Sequence, residues 1–88
     1  MADDMKKDII FRLRTIKGHI DGIEKMVEEG KTCDEILLQI AAIKSSIEKV
    51  GYSILENHAK ECLVDIEKQG VNVEKVNKVI QSVLKFVK

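Results

Sequence analysis

Along the first third of the chain, apolar residues recur at Ile9, Leu13, Ile16, Ile20, Ile23 and Val27, in steps of 4, 3, 4, 3 and 4. That rhythm keeps one face of a helix apolar. It predicts a first helix over about residues 4–28, with Asp3 or Asp4 as cap and Gly30 as a natural stop. A second stripe, Ile36, Ile40, Ile43, Ile47, Val50 and Ile54, repeats the same steps. Thr32-Cys33-Asp34-Glu35 fits a capping box in front of it, so Cys33 becomes the first helical residue. The chain has no proline, and Gly51 costs a helix only about 1 kcal/mol. The second helix is therefore predicted over about residues 33–68, roughly 50 Å long. A third, over about residues 73–87, starts at Asn72 and carries Val76, Val79, Ile80, Val83 and Phe86 on its apolar face. No segment alternates apolar and polar residues as a half-buried strand does.

The expected fold class is all-α, a three-helix protomer. The first two helices form an antiparallel hairpin around Gly30-Lys31, and the apolar stripes are read as core. The second helix is too long for its own chain to cover, which leaves an apolar face over its second half. An antiparallel copy of the hairpin is the natural cover, giving a four-helix-bundle dimer.

Length and composition sharpen this picture. Eighty-eight residues make a single domain, 1–88, small enough that helical chains of this size often complete their core by association. With 44% apolar and 34% charged residues, the profile is that of long helices. No apolar run approaches the 18 or so residues of a membrane span, and MADDMKKD is no secretory leader, so a cytoplasmic protein is expected. Two cysteines in a reducing compartment are metal-binding, redox-active or simply buried. An enzyme is not expected, because no acid–base dyad, activated nucleophile or phosphate loop is present.

Formal net charge is zero, but the charge is segregated. Lys6, Lys7, Arg12, Arg14 and Lys17 face a single acid, Asp8, whereas Asp21–Glu29 holds four acids and one base, Lys25. Lys6, Lys7, Arg14 and Lys17 share one broad arc of the first helix and Arg12 lies on the other flank of the stripe. On charge alone this is a solvated face. Multiplied over several chains, it could track phosphates. Aromatic residues are too scarce for stacking on single strands.

Candidate chemistry rests on Cys33, His58 and Cys62. His58 and Cys62 are four apart and project from one helical face. Cys33 and His58 are 25 residues apart, about 37 Å along an unbroken helix, so one chain cannot gather all three. An intrachain Cys33–Cys62 disulfide fails on the same ground. In an antiparallel pair centred near Ser46 and Ile47, however, Cys33 of one chain lies between His58 and Cys62 of the other, twice per dimer. Two thiolates and an imidazole suit Cu(I), whereas structural Zn(II) asks for a fourth ligand. His19, expected near Ile43, is too far up the axis to serve. Spacing alone leaves equally open that the cysteines are small buried hydrophobes and His58 a surface residue.

The segments RLRTIKGHIDGIEKMVEEGKTC, ILLQIAAIKSSIEKV and ENHAKEC resemble the CsoR/RcnR family of metal-sensing repressors over most of the chain, and the order Cys, 24 residues, His, three residues, Cys resembles its copper-sensing branch. The resemblance implies a dimer of dimers without a helix-turn-helix. It also implies an apo-protein that binds double-stranded operator DNA and is released by Cu(I). It assigns DNA contact to the positions of Arg12 and Lys49, and it turns the neighbouring Arg14 and Lys17 from a solvated face into DNA-binding candidates. Two positions depart from the copper pattern. Thr32 stands where a tyrosine precedes the first cysteine, and Lys78 aligns with a glutamate of the third helix; in the family both residues lie beside the ligands and couple metal to DNA release. Lys78 is expected to pair with the net negative charge of a two-thiolate Cu(I) centre. The alternative reading is a thiol or persulfide sensor that bridges Cys33 and Cys62 of opposing chains.

Overall fold

The computed structural model describes residues Met1–Lys88. It consists of three helices: α1 (Asp3–Glu28), α2 (Cys33–Gln69) and α3 (Val73–Val87). The residues cluster into two compact units, Ala2–Val50 and Gly51–Lys88 with Met1, and α2 runs unbroken through both.

Helix ends fall where local chemistry stops them. After α1, Gly30 adopts φ 72°. Its N–H donates to the Val27 carbonyl at 3.1 Å and that of Lys31 to Met26 at 3.0 Å, a Schellman pair in which a left-handed glycine closes the helix. Thr32 Oγ1 accepts from the Glu35 N–H at 3.3 Å, which sets Cys33 as the first residue of α2. Gly70, at φ 83°, ends α2 with a bond to the Ile66 carbonyl at 2.9 Å. Asn72 Oδ1 caps α3 by accepting from the Lys75 N–H at 3.3 Å. The expected cap of α1 is corrected: Ala2 holds the cap position with no side-chain bond, and Asp3 and Asp4 lie inside the first turn. There their carboxylates act on the positive helix end without donating a specific cap.

In the Ala2–Val50 unit, α1 and the first half of α2 pack antiparallel. Ile9, Ile16 and Val50 are buried, with Met5 and Ile43 against them. His19 Nε2 meets Gln39 Oε1 at 2.7 Å, one turn before Ile43, so this histidine serves the hairpin. Within the protomer, half of each stripe is core. Alternate members, Ile9, Ile16 and Ile23 on α1 and Ile36, Ile43 and Val50 on α2, turn into the hairpin. The others, Leu13, Ile20, Val27, Ile40, Ile47 and Ile54, remain 38–59% exposed. Two helices have only one shared seam, so a wider stripe must leave its other edge open.

In the Gly51–Lys88 unit, α3 packs back along the second half of α2, covering part of the face expected to be bare. Lys75 Nζ pairs with Asp65 Oδ2 at 3.3 Å, and Phe86 meets Tyr52 edge-on with ring centroids 5.0 Å apart. The two contacts, at opposite ends of α3, fix its antiparallel sense. Val76, Val79 and Val83 are half-buried here, as are Leu55, Ala59, Cys62 and Ile66. Gly51 has a packing reason: a Cβ there would overlap the Phe86 ring. Gly51→Ala gains about 1 kcal/mol of helix propensity and gives up a comparable aromatic contact. Thermal stability is therefore expected to stay within about 1 kcal/mol, while the near-ultraviolet dichroism of Tyr52, the single tyrosine in a chain without tryptophan, loses its signal. An unchanged Tyr52 signal would mean that Phe86 does not rest on Gly51.

Candidate metal centre and nucleic-acid face

His58 and Cys62 are held one turn apart on α2, and with Glu61, Asp65, Lys75, Lys78 and Val79 they line a depression of about 190 Å³ between α2 and α3. His58 is exposed and Cys62 half-buried, so both donors are reachable. The two carboxylates beside them are already engaged. Asp65 is tied to Lys75 across the helices. Glu61 pairs with the Met1 amine at 2.8 Å and accepts from Asn57 Nδ2 at 3.0 Å. The amine and then Asn57 hold its carboxyl below the usual range, so it stays anionic at neutral pH. Lys78 lines the same depression, forms no ion pair within the chain, and its carbonyl accepts from Ser82 Oγ at 2.9 Å.

Cys33 is exposed and free at the first position of α2. It belongs to the Ala2–Val50 unit, whereas His58 and Cys62 belong to the other. The chain gathers no group of three or more histidine, cysteine or acidic side chains able to hold a metal. The donor set nevertheless fits a soft, low-coordinate ion. One imidazole and one thiol line the same depression, a second thiol is exposed, and the carboxylates that a harder ion would recruit are paired off. Thr32 caps the helix that presents Cys33, a role visible in the sequence.

Of the basic residues, Arg12 and Lys49 are brought together. With Phe11, Thr15, Ile16, Ser46 and Val50 they line an apolar depression of about 230 Å³ on the hairpin. Arg12 Nε also pairs with Asp8 Oδ2 at 3.2 Å, one turn earlier. Arg14 and Lys17 are exposed on α1 outside this depression. Asp65–Lys75 leaves no sign in the sequence, because that pair spans the α2–α3 turn and follows no periodicity. No helix is long and apolar enough to cross a membrane.

These features define a class: an all-helical protein with a thiol–imidazole pair on one long helix, a second thiol presented singly at that helix's start, and basic side chains on the hairpin. Residues 5–85 match the family described as metal-sensitive transcriptional repressor. The copper-sensing transcriptional repressor CsoR of Bacillus subtilis (strain 168) is 35% identical over 83 residues, 94% of this chain and 82% of the relative. CsoR of Mycobacterium tuberculosis (strain ATCC 25618 / H37Rv) is 32% identical over 78 residues, 89% of this chain. The chain spans 66% of that relative, just under two thirds of its length. Among solved structures, the copper-sensing repressor CsoR with Cu(I) from Geobacillus thermodenitrificans NG80-2 superposes with a TM-score of 0.89 at 31% identity, covering 100% of this chain and 92% of that one. The nickel-responsive transcriptional regulator InrS gives a TM-score of 0.84 at 30% identity, covering 91% and 90%. The chain belongs to the metal-sensitive transcriptional repressor family.

Proposed function

We propose that this protein is a Cu(I)-responsive transcriptional repressor, cytoplasmic and not an enzyme. Its apo form binds double-stranded operator DNA and metal binding releases it. Residues 1–88 act as one metal-sensing, DNA-binding domain. Each ion is held by Cys33 of one protomer and by His58 and Cys62 of an antiparallel partner. The observation that carries this reading is the donor set: a thiol and an imidazole in one depression whose carboxylates are spoken for, and a free thiol at the start of the same helix. A partner has a place to sit, because the exposed residues Leu13, Ile20, Ile40 and Ile47 form a second apolar seam of helical spacing. Two hairpins joined along it make a four-helix bundle, and two such dimers a tetramer.

Arg12 and Lys49, with Arg14 and Lys17 beside them, supply the cations for the phosphate backbone. Lysine at position 49 provides charge without the bidentate fork of arginine. Cu(I), when bound, supplies a bridge between two chains. What the chain contributes is placement: Thr32 fixes the start of α2 and thus Cys33, and α3 backs Cys62. Copper relatives favour a metal signal over a Cys33–Cys62 redox bridge.

The test is an anaerobic Cu(I) titration followed by thiolate-to-copper absorption, with operator release measured on the same sample. Absorption is expected to saturate at about one ion per chain, two sites per dimer. Operator affinity should fall by about 5–150-fold, and apo binding should weaken steeply with salt. Saturation without release would remove the regulatory reading, and no absorption at all would remove copper.

A further inference from the structure

The wall of the His58–Cys62 depression carries two lysines and two acids, and their pairing is unequal. Asp65 and Lys75 neutralise each other at 3.3 Å. Glu61 is satisfied by Asn57 and the Met1 amine. Lys78 alone has no carboxylate, so the uncompensated charge facing the ligands is positive. Two thiolates and a neutral imidazole around a monovalent ion leave one net negative charge. Around a divalent ion they leave none. A fixed positive charge beside the ligands therefore stabilises the first complex and is nearly indifferent to the second.

We propose that Lys78 is a specificity-determining residue that selects a monovalent over a divalent ion by charge, and that the Asp65–Lys75 pair sets the strength of this selection by cancelling a second lysine. The inference rests on the reading of Cys33, His58 and Cys62 as Cu(I) ligands, and it explains how one ligand set on this fold can discriminate valence without a change of donor. Lys78 touches no ion; it acts through the field at the ligands. Shape and packing do not enter, since Lys78 is exposed and Asp65 half-exposed.

The measured quantity is the ratio of Cu(I) affinity to Zn(II) and Ni(II) affinity for the full-length protein, each obtained by competition with a chelator of known strength. A unit charge several ångströms away at a solvated surface acts weakly. Lys78→Met is therefore expected to lower the ratio about threefold, and Lys78→Glu about tenfold because the charge reverses. Asp65→Asn frees Lys75 and is expected to raise the ratio about threefold, the opposite direction. Zn(II) and Ni(II) should shift alike, since valence and not geometry is read. All three shifts should shrink in 1 M salt, where the screening length is about 3 Å. A purely structural role would lower all affinities together and leave the ratio and its salt dependence unmoved, which overturns the proposal, as does a ratio that moves the same way in Lys78→Glu and Asp65→Asn. If the wild-type protein binds Cu(I) and Cys62→Ser does not, but the ratio is insensitive to Lys78, this inference alone fails. If the wild-type protein binds no Cu(I), the assignment of the ligands fails with it.

Discussion

Ile47→Glu is expected to break the proposed dimer, raising its dissociation constant by roughly a thousandfold, and to cost much of the helicity at micromolar concentration. The reason lies in how little the chain buries. Only Ile9, Ile16 and Val50 are buried, while Ile40, Ile47 and Ile54 lie open on α2 and Leu13, Ile20 and Val27 on α1. A helical chain this small often completes its core by association, and the open seam is where a partner can do so. In an antiparallel pair centred near Ser46 and Ile47, each Ile47 lies close to the two-fold axis, so one substitution places two carboxylates near each other in apolar surroundings. An uncompensated buried charge costs about 3–5 kcal/mol, which converts to about a thousandfold in association. Sedimentation and far-ultraviolet dichroism across a dilution series read both effects. A variant that sediments as the wild type would mean that this seam faces water in the working protein.

The division of the stripes also marks how much of the fold could be read from the chain alone. Helix ends were legible to within one or two residues where one side chain or one glycine decides them, at Thr32, Asn72, Gly30 and Gly70, because those signals are local. Asp3 and Asp4 suggest themselves as caps in the sequence because consecutive acids before a helix offer several frames, and the backbone takes the one that begins at Ala2. The apolar rhythm identified the helices but not which half of each stripe meets which neighbour. A period of 3.5 residues is equally compatible with one wide face and with two adjacent seams, and only the position of the second helix separates them. Gly51 and Asp65 acquired their meaning from Phe86 and Lys75, residues that come near only after α3 turns back, so no local pattern could show it. The metal centre divides in the same way. His58 and Cys62 were legible as a pair because four residues is one helical turn. In the proposed site Cys33 joins them only through a symmetry operation, which no local spacing along one chain displays.

The proposed sharing of ligands between chains yields the sharpest expected result. Cys33→Ser and Cys62→Ser should each lose high-affinity Cu(I) binding as pure proteins, by more than the roughly hundredfold that changes outside the ligand shell already cause. Co-refolded in equal amounts, they should regain part of it. A dimer carrying one chain of each kind has one site with both thiols missing and one site with both intact, because Cys33 of the Cys62→Ser chain meets His58 and Cys62 of the Cys33→Ser chain. Random pairing makes about half of the dimers mixed, each with one of two sites restored, so the mixture should bind roughly a quarter of the wild-type copper. Ligands drawn from a single chain predict no recovery at all, since every chain in the mixture lacks one thiol. The recovered fraction should bind with wild-type affinity and show the same thiolate-to-copper band, because the intact site is built from native ligands. It should also disappear when Ile47→Glu is introduced into both chains, which joins the chemistry of the site to the apolar seam that assembles it.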